Sequence, residues 1–131
     1  MNNSPCSQTQ EQLPSLSIDQ KKNRIRIHKK TLYMLDNPTF IQILVNPDKK
    51  ALVIMPSVKE DHLAHRINWM YLDDSSKSYE LYSKTLVEMI NSLQIWEPRQ
   101  IYKVEGELVK TDIQKACIRF NLCEAVILSE A

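Results

Sequence analysis

Two apolar runs, Phe40-Ile41-Gln42-Ile43-Leu44-Val45 and Ala51-Leu52-Val53-Ile54-Met55, flank the short polar stretch Asn46-Pro47-Asp48-Lys49-Lys50. The runs are rich in β-branched residues and the stretch between them has turn composition, so the pattern predicts a hairpin. Both strands are apolar at odd and even positions alike, and a hairpin with one wet face would leave one apolar row in water. Something must cover that row, and a second copy of the chain would do so. Ahead of the hairpin, Ile25 and Ile27 alternate with Arg24, Arg26 and His28, which puts isoleucines on one face of a strand and cations on the other. Thr31 can cap a helical turn, Leu32-Tyr33-Met34-Leu35, which Asp36-Asn37-Pro38 ends, because the residue before a proline is pushed out of the helical region.

Further along, Ile67, Trp69 and Tyr71 alternate over Arg66–Tyr71 and predict a fourth strand. From Lys77 to Ile95 the apolar positions Leu81, Tyr82, Leu86, Met89, Ile90 and Leu93 recur at spacings of three to five. Glu80, Lys84 and Glu88 fall on the other side, so this stretch predicts a long amphipathic helix, ended by Glu97-Pro98. Tyr102, Val104, Gly106 and Leu108 then alternate with charged residues, as do Ile118, Phe120 and Leu122 with Cys117, Arg119 and Asn121, which predicts two more strands paired antiparallel. The expected class is α+β: a largely antiparallel sheet in the order β-α-β-β-β-α-β-β, with one long amphipathic helix packed on one face. Residues 1–22, rich in Ser, Gln, Asn and Pro, are expected to be a flexible tail, and residues 23–131 a single domain.

A chain of 131 residues with 43% hydrophobic content suits one core rather than two. Its single glycine, Gly106, argues against the glycine-rich loops that cradle phosphates, so no nucleotide cofactor is expected. The N-terminus has no leader pattern, and nowhere do about 18 apolar residues run together, so the expectation is a cytoplasmic protein without a membrane partner. Cys6, Cys117 and Cys123 lack metal-type spacing and are expected to be reduced thiols. His62 and His65, with Glu60 or Asp61, could share a face toward a metal, but two histidines without HExxH spacing make a poor site, and no metal or other cofactor is expected. Trp69, Tyr71 and Trp96 suit core filling better than base stacking, and Glu105 and Glu107 suit a ladder opposite Arg119 better than acid–base work. No nucleophile–base pair is visible, so an enzyme is not expected.

The net charge is +1, yet residues 1–66 carry ten Lys/Arg against six Asp/Glu, whereas residues 67–131 carry seven against ten. A polyanion would therefore meet the first half. Lys21, Lys22, Arg24, Arg26, Lys29 and Lys30 cluster there with His28. A strand presenting Arg24, Arg26 and His28 could lay its cations along a phosphate backbone while Lys29 and Lys30 reach from the turn. The same cations could instead guard a solvated edge strand against aggregation.

Ile25-x-Ile27, Thr31-Leu32-x-x-Leu35, Ile41-x-Ile43 and Leu52-x-Ile54 together resemble the AbrB/MazE-type swapped-hairpin domain, in which a strand, a short helix and a hairpin interlock with a second copy to bind DNA. The family's glycine before the central strand and proline before the short helix are absent, His28-Lys29-Lys30 standing there instead, and the chain from Arg66 onward has no counterpart. The resemblance implies a homodimer contacting DNA through Arg24, Arg26 and Lys29. The expected function is a small nucleic-acid-binding regulator, a homodimer that meets DNA or RNA through Arg24, Arg26, His28, Lys29 and Lys30. The alternative is a protein-interaction or scaffold module that uses the apolar hairpin surface and binds no nucleic acid.

Overall fold

The polar N-terminal composition hides an alternation, Leu16-Ser17-Ile18, that folds as a central strand. A computed structural model describes residues 13–72, 76–111, 113 and 115–128, and within them this strand is β1 (Ser15–Asp19), with Leu16 and Ile18 fully buried. It is followed by β2 (Arg24–His28), α1 (Lys29–Met34), β3 (Phe40–Asn46), β4 (Ala51–Pro56), β5 (His65–Arg66) and β6 (Ser78–Tyr82). Then come α2 (Lys84–Asn91), β7 (Ile101–Lys110), β8 (Ala116–Asn121) and β9 (Val126–Ile127). Every pairing is antiparallel, in the spatial order β5-β3-β4-β8-β7-β1-β2-β6, with β9 also on β7.

The ten-residue β7 joins the two halves of the sheet. Its first half pairs with β1, from Ser15 opposite Glu105 to Asp19 opposite Ile101, and its second half pairs with β8, from Gly106 opposite Phe120 to Lys110 opposite Ala116. The sheet curls at this change of neighbour into a half-barrel. A Cβ on Gly106 would stand 2.7 Å from the Phe120 ring and 2.9 Å from the Arg119 carbonyl oxygen, so the glycine is what lets β8 come this close. Phe120 lies beneath it, fully buried with Ile25, Ile27, Ile41, Leu52, Ile54 and Ile118, and Val87 and Ile90 of α2 enter the same core. The turns manage without glycine: Asn23, Asp36 and Asn37 hold positive φ of 51°, 66° and 52°, a region that short polar side chains tolerate, and Lys50 and Arg99 hold it too, at 51° and 62°.

Four expectations are corrected. The α+β class with a long helix packed on one face gives way to a predominantly antiparallel half-barrel, in which, among the described residues, the only helix longer than the six-residue α1 is the eight-residue α2. The first part of the expected helix, residues 77–95, is β6, because Tyr79 and Leu81 alternate with Ser78, Glu80 and Tyr82 and pair with β2. Ser83 then caps α2, its hydroxyl oxygen accepting from the Leu86 N–H at 3.1 Å. The expected strand at 66–71 stops after Arg66, since the Asn68 carboxamide oxygen accepts from the Met70 N–H and the chain closes into a 3-10 turn at Trp69–Tyr71. Residues 13–22, assigned to the tail, hold β1 and its turn, while residues 1–12 and Cys6 lie outside the described residues. No helix among the described residues is long and apolar enough to cross a membrane.

Candidate nucleic-acid interface

β2 is an interior strand, paired with β1 on one side and β6 on the other, so its cations sit on a sheet face and not at an edge. Cross-strand register decides what each of them meets. Arg24 lies opposite Asp19 on one side and Tyr82 on the other. Its guanidinium is buried at 9% exposure and bonds the Asp19 carboxylate at 3.1 Å, with Glu80 at 3.9 Å. Arg26 lies opposite Glu80 and donates to it from Nε at 2.9 Å, and the Tyr82 hydroxyl donates to the same carboxylate at 3.2 Å. Both arginines of the expected interface are therefore held by carboxylates of neighbouring strands. The Asp19 carboxylate also accepts the Lys21 and Lys22 backbone N–H groups, closing the β1–β2 turn and leaving those two lysine side chains exposed.

His28 ends β2 and caps α1, its Nδ1 accepting from the Lys30 N–H at 3.0 Å. The cap is thus His28 and not Thr31, whose hydroxyl instead donates to the Ser15 carbonyl and ties α1 to β1. Burial holds the imidazole pKa below its ordinary value, and the positive charges of Lys103, Lys77 and Lys29 push in the same direction. Lys29 itself is buried and Lys30 is half-buried. The expected residues Arg24, Arg26, His28, Lys29 and Lys30 are thus contiguous, but their roles differ: an internal ion pair, a surface ion pair, a helix cap and two flanking lysines.

Comparison of the chain with protein-family models, with curated proteins and with solved structures finds no match. The site must therefore be argued from its own charges. Lys77 comes from the segment before β6 and Lys103 from β7, in register with Ser17 of β1, which on its other side lies opposite Arg26 of β2. Glu105 stands two strands from His28 on the row that runs through Ser15. Lys103, Lys77 and Lys29 thus act on His28 from three separate segments, next to the self-neutralised arginine rows. Tyr82, at 61% exposure, is the aromatic opposite Arg24.

Sequence reasoning missed Lys77 and Lys103 as members of this cluster. Lys103 carried a signal, alternating to the wet side of its predicted strand, whereas Lys77 stood at the head of an expected helix and gave none.

The other candidates resolve separately. His62 is exposed, and burial alone pushes the half-buried His65 pKa below its usual value. The Asp61 carboxylate is occupied by the Ser57 hydroxyl at 2.7 Å and the Leu63 N–H at 3.0 Å. Among the described residues no group of three or more His, Cys, Asp or Glu side chains could hold a metal ion. Cys117 is buried on β8, and the exposed Cys123 lies beyond it in a 3-10 turn, where its Sγ accepts from the Gln94 amide. Trp96 stacks on Tyr102 at 4.1 Å between centroids, and Trp69 donates from Nε1 to the Pro38 carbonyl. Glu107 pairs with Arg119 on the wet face of β7–β8.

Proposed function

We propose that the chain is a small nucleic-acid-binding protein that meets the phosphate backbone with the lysine cluster around His28 and with the exposed lysines of the β1–β2 turn. The observation that carries this reading is that Lys103, Lys77 and Lys29, from three separate segments, all lie close enough to His28 for their charge to lower its pKa, so positive charge from distant parts of the chain is gathered around one side chain. Arg24 supports the strand from within through its ion pair with Asp19, and Arg26 is shared with Glu80. The resemblance of residues 24–55 to a DNA-binding swapped hairpin, and the basic balance of residues 1–66, favour the same reading. Phosphate contacts of this kind position a protein on nucleic acid without reading sequence. The test is fluorescence anisotropy of labelled duplex and single-stranded DNA at two salt concentrations. The reading requires binding at low salt that weakens steeply as salt rises, and it fails if neither form binds at low salt.

A second reading rests on the outer face of the β3–β4 hairpin. Leu44 is 41% exposed there opposite the half-buried Val53, with Met55 beside them opposite Gln42. This is the extra apolar row of the sequence, and it suits the protein-interaction module of the alternative. Apolar association on that face would hold at high salt, which separates it from phosphate binding.

A further inference from the structure

β6 ends the sheet, and among the described residues no strand pairs with it on the side away from β2. Antiparallel strands alternate in which residues bond which neighbour. The Lys29 N–H donates to the Lys77 carbonyl and the Ser83 N–H to the Asn23 carbonyl, so Lys77, Tyr79, Leu81 and Ser83 face β2 with their backbone groups. The N–H and C=O groups of Ser78, Glu80 and Tyr82 therefore point out of the sheet. An open cleft of about 570 Å³ adjoins β6, and among its lining residues are these three with Arg26, Lys77, Asn68 and Leu72.

Natural sheets guard such an edge with proline, charged side chains, a bulge, a very short strand or a covering loop. At the other end of the sheet, β3 is partly covered by the two-residue β5. β6 has five residues in unbroken register with β2, no proline or lysine within it, and its one charged residue, Glu80, is already held by Arg26.

We propose that β6 is the surface on which the chain pairs with a second copy of itself, β6 against β6 in antiparallel register about a twofold axis at Glu80. This inference is independent of the nucleic-acid reading. Self-pairing matches the outward groups to their own kind: Ser78 of one copy falls opposite Tyr82 of the other, and three outward residues per strand give about six backbone hydrogen bonds. Like charges directly opposite would oppose it, and Glu80 does face Glu80. Each of these carboxylates, however, already has Arg26 at 2.9 Å and Arg24 at 3.9 Å. With Asp19 counted, the two copies bring four carboxylates and four guanidinium groups to the junction, so it is neutral. Tyr82, now 61% exposed, is covered by the partner strand. The result is one sheet continuous through both copies.

The test is the mass of the full chain by sedimentation, from low to high micromolar concentration, for the wild type and for Ser78→Pro and Tyr82→Lys. Proline at 78 removes an outward N–H and leaves the β2 ladder whole, since edge strands accept proline where the N–H faces solvent. Lysine at 82 supplies the missing guard, and it decides the matter if Ser78→Pro loses its far-UV circular dichroism. The expected result is a wild-type dimer that both folded variants weaken by about tenfold or more. Amide exchange at Glu80 and Tyr82 should slow with rising wild-type concentration, while Tyr79 and Leu81 are protected throughout. A wild type that stays monomeric, or a dimer that persists in Tyr82→Lys, overturns the proposal.

Discussion

Gly106 has no turn to make. It sits in the middle of β7 with the Phe120 ring against its α-carbon, and the space a methyl group would need is taken by that ring and by the Arg119 carbonyl. Gly106→Ala should therefore cost about 1–3 kcal/mol of stability through overpacking, read as a lower denaturant midpoint with an unchanged slope. Asp19 is a different case, because it faces the buried guanidinium of Arg24 and also accepts two turn N–H groups. Asp19→Ala leaves that cation buried against only the more distant Glu80, and a loss of about 3–5 kcal/mol is expected in the same titration. The sequence could not have shown this pair. Arg24 alternates with Ile25 as any solvated cation would, and its acid partner comes from a stretch whose Ser, Gln and Pro content reads as tail. Only β1–β2 register turns a surface arginine into an internal one.

The two helices show how caps and neighbours override periodicity. α1 is capped by the neutral imidazole of His28, which must keep its Nδ1 lone pair to accept from Lys30. An unfolded imidazole titrates at about 6.5, and the folded one titrates lower because of burial and then Lys103, Lys77 and Lys29. Between those two values the unfolded chain binds more protons, so stability falls as pH drops below about 6.5, and the loss is complete once pH passes the folded value. His65, also held low by burial, adds to the same loss. His28→Asn keeps a capping oxygen without the titration, so urea midpoints at about pH 7.5 and about pH 5 should differ less for it than for the wild type. In α2, Ser83→Ala removes the cap on Leu86 and should cost about 1 kcal/mol. The β2, α1, β3 and β4 stretches could be placed from alternation and turn residues, as could the hairpin of β7 and β8. The 77–95 stretch could not. Its apolar spacing fits a period of 3.6 and of 2 in turn, and what makes residues 78–82 a strand is the free side of β2, distant in sequence.

At the scale of the whole molecule the strand order rests on pairings such as β1–β7 and β4–β8, which join residues far apart in the chain and leave no local trace. The same pairings set the charge map. They tie Arg24 and Arg26 to acids, and they bring Lys103 from β7 to the neighbourhood of Lys77 and Lys29. Charge counting along the sequence located the basic half by sum, but the lysines around His28 come from both halves. The deciding measurement is DNA affinity as a function of salt for the wild type, Lys103→Glu and Asp48→Asn, the last an exposed control in the β3–β4 turn. If the lysine cluster around His28 meets phosphates, log affinity falls with log salt for the wild type. Lys103→Glu then weakens binding and lowers that slope by about one, while Asp48→Asn leaves the slope unchanged. A slope near zero, or one that Lys103→Glu does not alter, contradicts it.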